Sequence, residues 1–305
     1  MRWSAVTRLL DAREREARSG IGRARRAAAR FIGRIAERRA DRRHRRRAAA
    51  QVAAGGPTAE LFSVPAFGRE FEIDIRSDLA RRVAATGTFE PHLAEIVRAA
   101  VRPGDHAVDI GANVGFYAVL CGALAGPAGR VLAVEPMAGV AARALANARR
   151  HGLANVVAET CAAGAEPGAM EIEHIEGREE FAALGQMRHA AVRRTQERRR
   201  TRVAVERLDD LLARHALRPA FVKIDTEGSE LGVLAGAARM LAEARPLLLV
   251  ETSDDLLAPQ GRRVADVARL LEAHGYRCRD AATGQPVTGA RTERFHGDIV
   301  ALPPA

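Results

Sequence analysis

The spacing of apolar residues changes character twice along the chain. Over residues 1–47, Trp3, Val6, Leu10, Ala17, Ile21, Ala24, Ala28, Ile32 and Ile35 recur at steps of mostly three, four or seven. Such spacing puts a weakly apolar stripe on one side of an otherwise arginine-covered helix. Gly20, Gly22 and Gly33 each cost about 1 kcal/mol relative to alanine in a helix, so this helix is expected to be broken or to fold only on contact. Residues 51–57 (QVAAGGP) have the composition of a linker, which makes 1–57 a basic amphipathic arm with its tether. From Glu60 the pattern turns to alternation. Leu61, Phe62 and Val64, then Phe71, Ile73 and Ile75, flank the Phe67-Gly68 turn and predict a β-hairpin in the region 58–86, placed to cover the domain that follows.

Beyond Gly104 short apolar runs and helix-period runs alternate. HAVDIG, RVLAVE, NVVAET, AFVKID and PLLLVE predict strands; 116–124, 140–151, 208–217, 230–242 and 264–274 predict helices. The closing runs YRCRD and GDIVALP follow one another without a helix, so one of them is expected to be antiparallel. This order is that of an α/β doubly wound, mostly parallel sheet with helices on both faces, spanning 58–305. Residues 175–202 interrupt it with a polar, mostly basic run, for which two readings stand: a solvated surface helix, or an insertion that covers the site and faces the substrate.

Charge alters the picture at one end only. The 305-residue chain carries +10, but 17 arginines and five acidic residues fall within residues 1–50, so that segment holds +12 and the remainder about −2. A basic protein would suggest a polyanionic partner; here the suggestion attaches to residues 1–50, for which an anionic membrane surface, another polyanion or plain solvent are the alternatives. Cys121, Cys161 and Cys278 lie far apart with no metal-site or disulfide-framework spacing, no signal-peptide apolar region opens the chain, and no run approaches a membrane span. A reduced, cytoplasmic setting is expected. Lys223 is the only lysine against 47 arginines.

The strongest chemical signal is VDIGANVGF (108–116), where a strand runs into a helix. Such turns are where open α/β sheets meet ligands, and Gly111 and Gly115 would let backbone approach one closely. A dinucleotide loop would carry three glycines and a bare helix N-terminus for pyrophosphate. This one has two glycines, Asn113 and the carboxylate of Asp109, which repels phosphate and favours a cation such as the sulfonium cofactor S-adenosylmethionine. Glu135, closing the next strand, is placed to accept both ribose hydroxyls. At the third strand's end, Thr160, Cys161 and Ala162 fall where an adenine would lie, Cys161 as a small packing residue. A second cluster, FVKIDTEGSE (221–230), brings Asp225, Glu227 and Glu230 to another strand end, with Lys223 on the same strand face as Asp225. Glu251 ends the neighbouring strand. These carboxylates suit a general base, hydroxyl acceptors or a divalent metal site, while Asp225 or Thr226 as helix N-cap is the structural alternative. A metal remains possible but is not expected.

VDIGANVGFYA, VLAVEP, LDDLL and above all VKIDTEGSELGVLAGA followed by PLLLVE resemble, in order and spacing, the FkbM family of S-adenosylmethionine-dependent methyltransferases. The likeness runs from the GTFE segment at Gly87 to HGDIVALP. It implies a seven-stranded Rossmann-like class I fold and methyl transfer to a hydroxyl of a sugar or natural-product-like small molecule. It further implies that Asp109, Gly111, Asn113, Gly115 and Glu135 bind the cofactor and that Asp225 and Glu227 face the acceptor. Glu90 matches a family glutamate without an assigned role; Arg207 stands where the family usually has threonine. A nucleic-acid methyltransferase using the arm, or a non-catalytic binding protein, are the rival readings. No Asn-Pro-Pro-Tyr or Pro-Cys motif supports the first.

Overall fold

A computed structural model describes residues 2–19, 41–175, 183–184 and 198–304. Its centre is a seven-stranded sheet of β3 (His106–Ile110), β4 (Arg130–Val134), β5 (Val156–Glu159), β10 (Phe221–Ile224), β11 (Leu247–Ser253), β12 (Arg277–Asp280) and β13 (His296–Leu302). The spatial order is β12-β13-β11-β10-β3-β4-β5. Five strands are parallel, and β13 inserts antiparallel between β11 and β12. The chain reverses direction across the sheet between β3 and β10, so their C-terminal loops diverge and leave a crevice there.

Alternation along the strands feeds two cores. Ala107, Val131, Phe221, Leu249 and Val300 join one, with α4 (Pro91–Ala100) and α5 (Phe116–Ala125). Val108, Leu132, Val222, Val250 and Ile299 join the other, with α7 (Leu208–Arg214), α8 (Glu230–Ala235) and α10 (Val264–Ala273). By the same period of two, Asp109 and Lys223 fall on the α4/α5 side, in register as neighbours on β3 and β10. The expected helix over 230–242 is interrupted: α8 ends at Ala235, a turn follows at Gly236, where a Cβ would lie 2.0 Å from Gly164 O, and the chain then resumes a helical course that closes as a π-helix over Met240–Ala244.

The hairpin forms as expected from β1 (Ala59–Val64) and β2 (Arg69–Asp74), with Phe71 packed edge-on against Phe116 at a centroid distance of 4.4 Å. The N-terminal arm departs from expectation. Helix α1 (Ser4–Arg18) is not a solvated appendage: Val6 and Leu10 are wholly buried in the α4/α5 core. Arg13 donates to His92 O at 3.0 Å, and Arg279 reaches back to Asp11 at 2.6 Å and Glu14 at 2.8 Å. The apolar stripe looked too thin to bury itself, but α4 and the loop at Gly284 supply its other half. Residues 41–53 form helix α2, so the expected linker begins only after Ala53.

The expected surface helix over 175–202 is contradicted at its end. Residues 199–202 belong to β9 (Arg199–Glu206), which pairs antiparallel with β7 (Gly168–His174) in a second sheet containing β6 (Ala162–Ala163) and β8 (Ala183–Leu184). Alternating Val203 and Val205 turn inward there while Arg200 and Arg202 stay exposed, a strand period rather than a helical one. Most of the remaining insertion lies outside the described residues. Among the described residues no helix is long and apolar enough to cross a membrane.

Candidate active site

The loop after β3 is held by two close approaches of backbone. Gly111 has φ 75°, and a Cβ there would lie 1.7 Å from Asp225 O; Gly115, at φ 88°, lies against Ala144 of α6 (Ala138–Arg150), 3.1 Å from a virtual Cβ. Both glycines are therefore required by protein packing, and Gly115 serves the contact between α5 and α6 rather than a ligand. Asp109 is likewise turned away from the crevice. Its Oδ2 accepts the Ala118 N–H at 2.8 Å in the first turn of α5, where the helix dipole favours a carboxylate. Burial raises its pKa to about 6 against the opposing pull of Lys223.

Glu135 at the end of β4 faces the crevice and braces its rim. Oε2 accepts the Asn113 N–H at 3.0 Å and Oε1 accepts the Met137 N–H at 2.9 Å, so one carboxylate fixes the loops after β3 and β4 together. Asn113 adopts φ 49°, a left-handed conformation that asparagine tolerates better than most residues. Burial pushes Glu135 up to about 7. Cys161 and Ala162 line the same wall; burial lifts the Cys161 thiol to about 12, which removes it as a nucleophile.

Across the crevice, Lys223 Nζ donates to Asp225 Oδ2 at 2.6 Å and stands 4.7 Å above the Tyr117 ring centroid. Burial works against the Lys223 charge, but Asp225, Asp109, Glu251 and Glu90 outweigh it and raise its pKa. The helix-cap alternative for Asp225 fails: Ser229 is the N-cap residue of α8, and Glu230 Oε1 takes up Gly228 N–H at 2.8 Å and Thr226 O–H at 3.2 Å. With those donors met by Glu230, Asp225 and Glu227 are left to line the crevice.

Three further groups complete this end: Glu251, which the sequence set beside the cluster at the end of the neighbouring strand, and Glu90 and Asp298, to which it gave no role. Glu90, at φ 37° before Pro91, accepts the Tyr117 O–H at 2.7 Å, and burial raises its pKa. Glu251 is raised well above the usual carboxylate range, first by Asp225 and then by burial. Asp298, its register partner on β13, is pushed up to about 8 by burial and the neighbouring carboxylates. Tyr117 carried a readable signal in GFYA, one turn past the glycine loop; Asp298 carried none, because an antiparallel strand from the far end of the chain delivers it.

The structure thus gathers Gly111, Asn113, Glu135, Cys161, Ala162, Asp225 and Glu227 on one crevice and sets Asp109, Gly115 and Lys223 behind its wall. Helix α3 (Asp78–Thr86), Phe89 and Met170 close the sides, so the hairpin region shapes the crevice through α3 and not through its strands. Arg207, the departure from the family pattern, donates to Ala165 O at 3.0 Å and pairs with Glu166, tying α7 to the β6–β7 connection. Among the described residues no group of three or more His, Cys, Asp or Glu is arranged to hold a metal ion.

Sheet order, the antiparallel β13 and a strand-end crevice with a carboxylate at the second strand define a class I methyltransferase fold. Residues 109–278 match the family model described as the methyltransferase FkbM domain, and the chain belongs to that family. Its cofactor is S-adenosylmethionine. Solved structures give similar chains: methyltransferase FkbM from Methylobacillus flagellatus KT at 19% identity and TM-score 0.40, covering 72% of this chain and 52% of that one. This chain therefore spans about half the length of that relative. A putative rRNA-methylase from Clostridium thermocellum matches at 10% identity and TM-score 0.41, covering 67% and 88% of the two chains. Aeropyrum pernix fibrillarin with natively bound S-adenosyl-L-methionine matches at 16% and 0.36, covering 67% and 68%. No curated protein sequence matches.

The crevice suits this cofactor on its own chemistry. Glu135 keeps lone pairs beyond its two backbone bonds, and among the described residues this end of the crevice carries a carboxylate and no arginine, which would suit a cationic sulfonium and ammonium group. Among the described residues the basic side chain on the crevice wall is Arg82, at the other end beside Phe89 and Glu90.

Proposed function

We propose that the protein methylates the oxygen of a hydroxyl on a sugar-like or natural-product-like small molecule. The observation that carries this reading is the two-ended crevice: Gly111, Asn113, Glu135, Cys161 and Ala162 at one end, Asp225, Glu227, Glu90 and Glu251 at the other. S-adenosylmethionine, when bound, would supply a methyl group activated by its sulfonium, the methyl–sulfur bond breaking as the oxygen–methyl bond forms and neutral S-adenosylhomocysteine leaving. Glu135 and the Asn113 loop would hold the nucleoside, and Cys161 and Ala162 would form an apolar seat for its base. At the opposite end, Lys223 occupies Oδ2 of Asp225 and leaves Oδ1 to receive the acceptor hydroxyl, with Glu227 as a second acceptor. Holding that oxygen in line supplies much of the rate, and the Asp225 carboxylate receives the proton as the new bond forms. Glu251, raised well above the usual carboxylate range first by Asp225 and then by burial, is the one of the pair that more readily keeps its own proton, and so is the poorer acceptor of another.

The test is turnover with a panel of polyhydroxylated acceptors, scored by S-adenosylhomocysteine release. Asp225→Asn is expected to lower kcat by about 100-fold or more with cofactor Kd unchanged, and Glu227→Gln by less. Full turnover in both variants would make the acidic end structural. Turnover confined to RNA would replace the small-molecule acceptor.

A further inference from the structure

Helix α1 carries an arginine on the face that it buries. Steps of about 100° put Arg13 in the stripe of Val6, Leu10 and Ala17, and its side chain is 12% exposed. An apolar side chain would pack there without the desolvation penalty of a guanidinium, so packing alone does not account for it. Its donors are met by acceptors from two segments of the domain. Nη1 donates to Ala281 O at 2.5 Å, just past the end of β12. Nη2 donates to His92 O at 3.0 Å and to Glu95 Oε2 at 2.7 Å, both on α4.

The two carbonyls belong to the segments that hold Glu90 and Asp298. Glu90 O accepts the Leu93 and Ala94 N–H groups at 3.0 and 3.1 Å, so Glu90 closes the same turn of α4 that Arg13 grips at His92. Its φ of 37° is a backbone conformation that the surroundings have to impose. Ala281 in turn donates its N–H to Asp298 O at 2.8 Å. The segments meet again inside the site, where His92 Nε2 stands 4.0 Å from Asp298 Oδ2. Helix α1 is itself seated firmly over them: Arg279 holds Asp11 and Glu14, and Gly284 lies so close that a Cβ there would be 2.0 Å from Leu10 O.

We infer that Arg13 is a positioning residue for methyl transfer: its guanidinium fork ties the start of α4 to the end of β12 and so sets where Glu90 and Asp298 stand around Asp225. The inference rests on the reading of Asp225 and its neighbours as the acceptor end. Turnover of the full chain is measured below its melt, with an acceptor that the wild type methylates. Arg13→Ala is expected to lower kcat/KM for the acceptor about tenfold with cofactor Kd unchanged, and Arg13→Lys, which keeps the charge but loses the fork, by less. In a Glu90→Gln/Asp298→Asn background the Arg13→Ala change should cost at most about twofold, because the groups it displaces are already altered. Hydrogen exchange needs no acceptor: the Leu93, Ala94 and Ala281 amides should exchange at least about tenfold faster in Arg13→Ala, with the amides of β4 unchanged. Unchanged kcat/KM in Arg13→Ala, a loss that adds in full in the Glu90→Gln/Asp298→Asn background, or unchanged exchange at those three amides overturns the inference. Absence of wild-type turnover with every hydroxyl acceptor defeats the acceptor reading instead, and exchange then decides whether Arg13 holds the two segments.

Discussion

Replacing Lys223 by methionine tests the centre of the proposed mechanism, because methionine fills the volume and removes only the charge. Lys223 is 2% exposed and 2.6 Å from Asp225, whose side chain is 27% exposed. At that distance and an effective dielectric of about 20 the gross attraction is about 6 kcal/mol. Removing one partner of a fully buried pair costs about 3–5 kcal/mol. Water can reach part of Asp225, so about 2–4 kcal/mol is expected here, a fall in Tm of about 5–15 °C. Catalysis should suffer separately. Without the cation, Glu251 and Glu90 rise further, Asp225 loses the bond that orients it, and kcat should fall about 10–100-fold. Cofactor affinity should hold, since Lys223 stands behind the crevice wall. Calorimetry, thermal melts and a pH profile of kcat/KM measure these three effects. A Lys223→Met protein with wild-type Tm and an unshifted profile would refute the reasoning.

Other outcomes follow from the same geometry. Glu135→Ala strands the Asn113 and Met137 N–H groups and removes the nucleoside acceptor, so cofactor Kd by calorimetry should rise about 10–100-fold; an unchanged Kd would take Glu135 out of the site. Leu10→Ala, at a wholly buried position of α1, should lower unfolding free energy by about 2–4 kcal/mol in urea, whereas exposed Arg8→Ala should stay within about 0.5 kcal/mol; equal effects would mean that α1 does not belong to the core. Asp298, raised to about 8, binds a proton when folded that it lacks when unfolded near neutrality, so it stabilises at low pH and that contribution is lost as pH rises from about 4 through about 8. Asp298→Asn should flatten this dependence in denaturation curves at pH 5 and pH 8, and an equal slope in both proteins would exclude it.

What was legible in the sequence is what local physics dictates. Strand and helix periods fixed the order of elements, because burial on one or two faces leaves a period of 2 or 3.6 in the residues themselves. The two strand-end clusters were visible because a turn that meets a ligand concentrates glycine and carboxylate within a few positions. The sequence by itself also gave the arginine bias of the arm and the singularity of Lys223. Tertiary structure decided which side of each residue faces the crevice. Asp109, read as a ligand for the cofactor, is turned to the Ala118 N–H, and Gly115, read as room for a ligand, is room for Ala144. Only folding brings Glu90, Tyr117 and Asp298 around Asp225, Lys223 and Glu251, from segments up to about two hundred residues apart whose register no local pattern records. The arm's first helix belongs to the core for the same reason: its apolar stripe is too thin to announce burial, and the surface that buries it lies some eighty residues further along the chain.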